Sequence, residues 1–201
     1  MKIWYLSLLS VTLLSASSQE ALKAYKNHQY KEAFGLYKEA ALSGDIKAEN
    51  ALSYLYFNGV GTQKSNKKAL HWLNKAADSG SVRAALDLGM IYLFGTKVPK
   101  DMKKAAKWLT VAADKGNSEA EYNLALMYYN GDGVKQDVKK AATLLERAAK
   151  NGHKSAKRNV GRIYMQALDF EKAKYWLRQN VKDGDKKALL LLKEIDAANK
   201  K

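Results

Sequence analysis

Apolar and small residues recur along this chain with a helical period nested inside a longer one. Ala48, Leu52 and Tyr56 lie at i, i+4 and i+8, one face of a 3.6-residue helix. The same set returns as Ala84, Leu88 and Tyr92, then Ala120, Leu124 and Tyr128, then Ala156, Val160 and Tyr164, each 36 residues on. A second set follows each first one. Ala69, Trp72, Leu73, Ala76 and Ala77 share a face, with Ala105, Trp108, Ala112 and Ala113 and then Ala141, Leu144, Ala148 and Ala149 in register. The pattern predicts two helices per unit. In the first full unit, the first helix runs from Lys47 to Asn58. The second starts after Ser65, Asp101 or Asp137, whose short side-chain oxygens can accept from the free N–H groups of a first turn. Gly59, Gly95 and Gly131 end first helices. Gly44, Gly80, Gly116 and Gly152 end second helices at steps of 36, and Gly184 follows after 32. The glycines therefore read as helix punctuation and not as a phosphate loop.

A helix pair of this size cannot bury its apolar faces alone, so like units must stack. The expected fold class is all-α, a right-handed α-solenoid of antiparallel helix pairs. Its units fall at about 19–44, 45–80, 81–116, 117–152 and 153–184, with a C-terminal capping helix over 185–201. Small residues at Ala48, Ala69 and Ala76 let backbones approach, and Tyr56 and Trp72 fill the space between turns. The flanks depart from the central units. The fourth loses four residues between its helices, and Tyr30-Lys-Glu-Ala33 matches Phe170-Glu-Lys-Ala173, so both ends carry a tighter turn. Ala21–Gly44 is then the first helix pair. The single proline, Pro99, suits a chain of helices.

The string Ala-Leu-Asp-Leu-Gly-Met-Ile-Tyr-Leu-Phe-Gly at 85–95 resembles a Sel1-like repeat. So do Asp-Val-Lys-Lys-Ala-Ala at 137–142 and Lys-Ala-Leu-His-Trp-Leu-Asn-Lys-Ala-Ala-Asp-Ser-Gly at 68–80. Sel1-like repeats are related to tetratricopeptide repeats, and the resemblance covers about residues 45–184. It implies adaptor roles in envelope complexes, signalling and host contact. Some exported, cysteine-rich members carry a β-lactamase label, which makes a β-lactam-binding or β-lactam-hydrolysing protein the alternative. This chain has no cysteine. That excludes disulfides, thiolate metal sites, cysteine nucleophiles and a lipoprotein anchor.

The first residues read as a leader. Lys2 is basic, Ile3 to Leu14 is apolar, and Ala16 and Ser18 fit the small-x-small cleavage rule. The run is too short to span a bilayer. A signal peptide over 1–18 leaves a solenoid over 19–201, expected in the periplasm or secreted and not transmembrane. The mature chain keeps 34 basic against 20 acidic residues, a net +14. Such a charge favours acidic surfaces. A basic protein holding anionic envelope polymer is thus a further alternative, while export argues against nucleic acid.

Candidate chemistry is sparse. His28, His71 and His153 fit no local metal motif, and no cofactor or catalytic group is expected. Ser65-Asn-Lys-Lys68 matches the Ser-x-x-Lys pattern of penicillin-recognising enzymes, but Ser65 shares its register with the caps Asp101 and Asp137. The pairs Lys67-Lys68, Lys103-Lys104 and Lys139-Lys140 would stack into a basic edge. In tetratricopeptide-like stacks the first helices line a concave groove. Counted from the core register, that face holds Asn50, Tyr54, Leu86, Met90, Tyr122, Leu126, Arg158 and Arg162. These positions vary between units while the core does not. An apolar floor beside two guanidiniums suits a protein or peptide with an acidic group or a free carboxylate. One expectation is directly checkable: N-terminal sequencing of the mature protein from the envelope fraction should begin at or near Gln19. A product that keeps Met1 would contradict export.

Overall fold

The computed structural model describes residues 18–198. Apart from Ser18, the expected signal peptide lies outside the described residues. The chain opens in helix at 18–26 (α1). Then follow α2 (Tyr30–Leu42), α3 (Ile46–Asn58), α4 (Asn66–Asp78), α5 (Val82–Phe94), α6 (Met102–Asp114) and α7 (Ser118–Asn130). The rest are α8 (Val138–Lys150), α9 (Lys154–Gln166), α10 (Phe170–Lys182) and α11 (Lys186–Ala198). No strand occurs among the described residues. The fold is an α-solenoid of helix pairs, as the period requires. The chain divides after Ala85 into two compact units, each described by itself.

The caps stop and start the helices where the pattern placed them. Ser65 Oγ, Asp101 Oδ1 and Asp137 Oδ1 accept from the amides of Lys68, Lys104 and Lys140 at 3.3, 3.0 and 2.9 Å. The backbone N–H of Lys104, then its side chain, hold the Asp101 carboxyl below the usual carboxylate range. Gly59 and Gly131 close α3 and α7 in the left-handed region. First helices have their own caps, Asp45, Ser81 and Asn117. At this position in α9 stands His153, whose Nδ1 accepts from the Ala156 amide at 3.1 Å. The tight turns at both flanks are three residues long, and each places a non-glycine residue, His28 or Leu168, at φ 62°.

The first unit packs on Ala33, Ala40, Ala48, Leu52, Ala69 and Ala76, and the second on Leu88, Ala105, Leu109, Ala120, Leu124, Ala141 and Ala173, all buried. Trp72, Trp108 and Trp176 are buried in register. Besides Gly35, which lies in open space inside α2 and outside the recurring slots, two glycines correct the reading of glycine as punctuation. Gly89 and Gly161 sit inside α5 and α9, where an added Cβ would stand 2.7 Å from Leu109 Cγ and 2.9 Å from Leu177 Cγ. They serve helix approach, as Ser53 and Ala125 do at the same register.

Two carboxylates lie in this core. Glu49 pairs with Lys75 Nζ at 2.9 Å, and Lys75 also donates to Ala41 O at 3.1 Å. Glu121 pairs with Arg147 Nε at 2.9 Å, and Arg147 donates to Ala113 O at 2.6 Å. Each cation thus ties three helices together, its own, the first helix before it, and the C-terminal end of the second helix of the preceding pair. The same two register positions are Ala85 and Val111 in the repeat between. A further ladder runs along the helix starts. The ammonium groups of Lys68, Lys104, Lys140 and Lys172 stand over the rings of Tyr56, Tyr92, Tyr128 and Tyr164, at 4.2 to 5.5 Å from their centroids.

Trp108→Ala should cost about 3–5 kcal/mol, the range for deleting a buried large aromatic. Chemical melting would read it, and an unchanged midpoint would mean that the register is wrong. Arg147→Ala leaves the buried Glu121 carboxylate with only the Asn151 amide, which donates to it at 2.9 Å, and should cost about 3 kcal/mol, at the low end for a broken buried pair because Arg147 is partly exposed. Glu121→Ala with Arg147→Val copies the neighbouring repeat and should recover most of that loss in the same measurement.

Candidate functional site

The positions assigned to the groove fall on the first helices of both units. In the first unit, α3 carries Asn50 and Tyr54. The Asn50 amide donates to Ile46 O and to Ser81 Oγ, both at 2.9 Å, so this side chain is engaged with the cap of the next first helix. Tyr54, one turn on, is 53% exposed. Its hydrogen bond to Tyr25, with burial adding to it, raises the Tyr25 hydroxyl above its ordinary value.

In the second unit, α5, α7 and α9 present the remaining six. Leu86, Met90 and Tyr122 are half-buried, while Leu126, Arg158 and Arg162 are exposed. Tyr122 stacks on the His153 ring at 4.2 Å and 19°, and His153 Nε2 lies 3.2 Å from Glu119 Oε2. One face of Tyr122 is therefore covered by the cap of α9, the same junction that Asn50 occupies in the first unit. His153 takes the register that Ser81 and Asn117 hold in other repeats. Its side chain is only 14% exposed, because it caps, stacks and pairs at once. Arg162 reaches back to Asn159 Oδ1 at 3.3 Å. Arg158 and Arg162 remain a pair of exposed guanidiniums one helical turn apart.

The basic-edge lysines divide into two kinds. Lys68, Lys104 and Lys140 lie over tyrosine rings, and Lys104 also pairs with Asp101 at 3.2 Å. Lys67, Lys103 and Lys139 are exposed beside them. Ser65, the candidate nucleophile, is engaged as a helix cap.

One cluster went unnoticed in the sequence. The Tyr164 hydroxyl donates to Glu146, and burial followed by that carboxylate pushes the hydroxyl's pKa well up. Burial opposes charge on Glu146. Hydrogen bonds from Lys150 and Tyr164, and the nearby ammonium groups of Lys150 and Lys172, outweigh it and hold the carboxyl below the usual range. The cluster borders an open depression of about 640 Å³ at the turn between α9 and α10. Glu146 aligns with no recurring acid, which is why the repeat pattern did not mark it. Among the described residues no group of three or more histidines and carboxylates could hold a metal ion, and no helix is long and apolar enough to cross a membrane.

Comparison with known proteins bears on this geometry. The Sel1 repeat family model matches residues 25–45, 46–81, 82–117, 118–153 and 155–179. Among solved structures, a Sel1 repeat protein from Oxalobacter formigenes is 28% identical with a TM-score of 0.73, over 87% of this chain and 74% of that one. The protein c5321, a protective antigen present in uropathogenic Escherichia coli strains and displaying an SLR fold, is 27% identical with a TM-score of 0.78. That match covers 94% of this chain and 42% of the antigen, so the chain spans less than half the antigen's length. MamA, at 20% identity and a TM-score of 0.53 over 87% of this chain and 93% of its own, shares the fold. No curated protein matches the chain. The repeat matches cover well over half of the sequence, in register with its helix pairs, and the chain belongs to the Sel1 repeat family.

Proposed function

We propose that this protein is an exported, non-catalytic adaptor that holds a protein or peptide on the first-helix face of its second unit. Sel1 and tetratricopeptide-like repeat proteins generally mediate protein–protein interaction. The leader pattern at residues 1–18 supports a periplasmic or secreted site of action. The observation that carries the assignment is the arginine pair. Arg158 and Arg162 are exposed on α9, where the other repeats have Asn50 and Tyr54, Leu86 and Met90, and Tyr122 and Leu126. Stacking therefore does not require a cation there. Two planar guanidiniums on one side of a helix form a docking point for a carboxylate or another anion. Leu126 and Met90 offer the apolar floor, and Tyr122 presents the face that His153 leaves free.

The basic edge is the competing surface. Half of its lysines are engaged with tyrosine rings, which favours the groove. Partner capture by crosslinking from the native envelope, followed by titration calorimetry, separates the two surfaces. Arg158→Ala with Arg162→Ala should leave the fold intact and weaken binding by about 1.5–3 kcal/mol per lost charged hydrogen bond. Lys103→Ala with Lys104→Ala should chiefly change the on-rate and salt dependence. A larger loss from the lysine pair would move the site to the basic edge and favour an anionic polymer as ligand.

A further inference from the structure

The fourth repeat joins α9 to α10 with three residues, 167–169, where the three central repeats use seven. What the longer connection does is visible in each unit. In 59–65, Gly61 lies against the start of α2, so closely that an added Cβ would stand 2.0 Å from Tyr30 O. In 131–137, Gly133 lies against the start of α6, where a Cβ would stand 2.5 Å from the Met102 carbonyl. The connections 59–65 and 131–137 thus lay their backbone on the first turn of the preceding second helix, each through a glycine that leaves room for no side chain, while Lys97 stands at that register in the third. By the same register, the connection of the fourth repeat should cover the start of α8, and it is too short to do so.

The depression described above lies there. Lys139 and Thr143 of α8 form one wall, and Tyr164, Leu168, Phe170 and Lys172 the other. Two large apolar side chains stand exposed on its otherwise polar rim. Leu168 is 75% exposed and Phe170 42% exposed. Leu168 is also held at φ 62°, a conformation that L residues avoid, and it projects from the turn in that state. The charges around the opening balance, with Lys139 and Lys172 against Asp169 and Glu171.

We propose that this depression is a peptide-binding slot for a short extended segment of a partner protein, one that replaces the backbone the fourth repeat lacks. The two connections with this close approach state what fits. A glycine takes the place of Gly61 or Gly133, and a β-branched residue follows it, as Thr62 and Val134 do. The glycine is selected by the close approach to α8. The branched side chain meets Leu168 and Phe170. Because the rim is neutral, binding is insensitive to salt. The slot is separate from the arginine pair, so it stands or falls independently of the groove.

The test is a titration of the isotope-labelled protein, followed by amide resonances, with acetyl-Asp-Gly-Val-Lys-amide, the tetrapeptide of positions 132–135. Saturable shifts should be confined to residues 138–143 and 164–172. They should persist in the Arg158→Ala, Arg162→Ala variant. Replacing the glycine of the peptide by leucine should weaken binding about tenfold or more. Inserting Asp-Gly-Val-Lys between Ala167 and Leu168 restores the long connection and should abolish the shifts. If that variant does not fold, the two peptides compared on the natural chain still decide. Equal binding of both peptides, shifts that survive the insertion in a folded variant, or no saturable shift would overturn the proposal. A dimer seen by sedimentation and lost on insertion would give the slot to a second copy of the chain and overturn it too.

Discussion

The array depends on how closely successive helices can approach. The rows where helices meet are built from alanine, glycine and serine. Ala48, Ala84, Ala120 and Ala156 are fully buried, and so are Ala69, Ala105, Ala141 and Ala173. The row of Ser53, Gly89, Ala125 and Gly161 goes further, since two of its members leave no space for a Cβ. Close approach brings many weak dispersion contacts into range and makes the interior dense. It also dictates where large residues go. Tryptophan and tyrosine cannot sit between such helices. They occupy the seams between turns, where Trp108 and Trp176 are buried and the four tyrosines take a lysine over each ring.

Buried charge adds specificity to this apolar frame. A carboxylate at Glu49 or Glu121 is costly to bury without its partner, and the cation that neutralises it also meets a helix-end carbonyl two helices away. That geometry fixes one helix arrangement in each of these two repeats. The repeat with Ala85 and Val111 shows that stacking alone suffices without it.

Much of this was legible because the period is strict. Helix positions, the caps Ser65, Asp101 and Asp137, the core faces and the shortened flank turns all follow from residues close in sequence. The ion pairs did not. The register of Glu49 and Glu121 also holds Ala85 and Lys157, and their cations lie 26 residues away. No local pattern links them. Gly89 and Gly161 looked like punctuation because glycine usually is. In the candidate site, the outward direction of Tyr54, Leu126, Arg158 and Arg162 was readable from helical spacing. The engagement of Asn50 with Ser81 and of Tyr122 with His153 was not, because it depends on how far the next first helix advances.

The frame leaves the first-helix face free to vary, and there the fourth repeat places its two arginines. Site-specific photocrosslinking tests this most directly. A photoreactive phenylalanine analogue would be placed at Leu126 on that face and, in a second variant, at Lys107 on the exposed side of α6. In cells of the native host, a partner held on the first-helix face gives a discrete protein adduct from position 126 and none from position 107. Adducts from position 107 alone would contradict that placement.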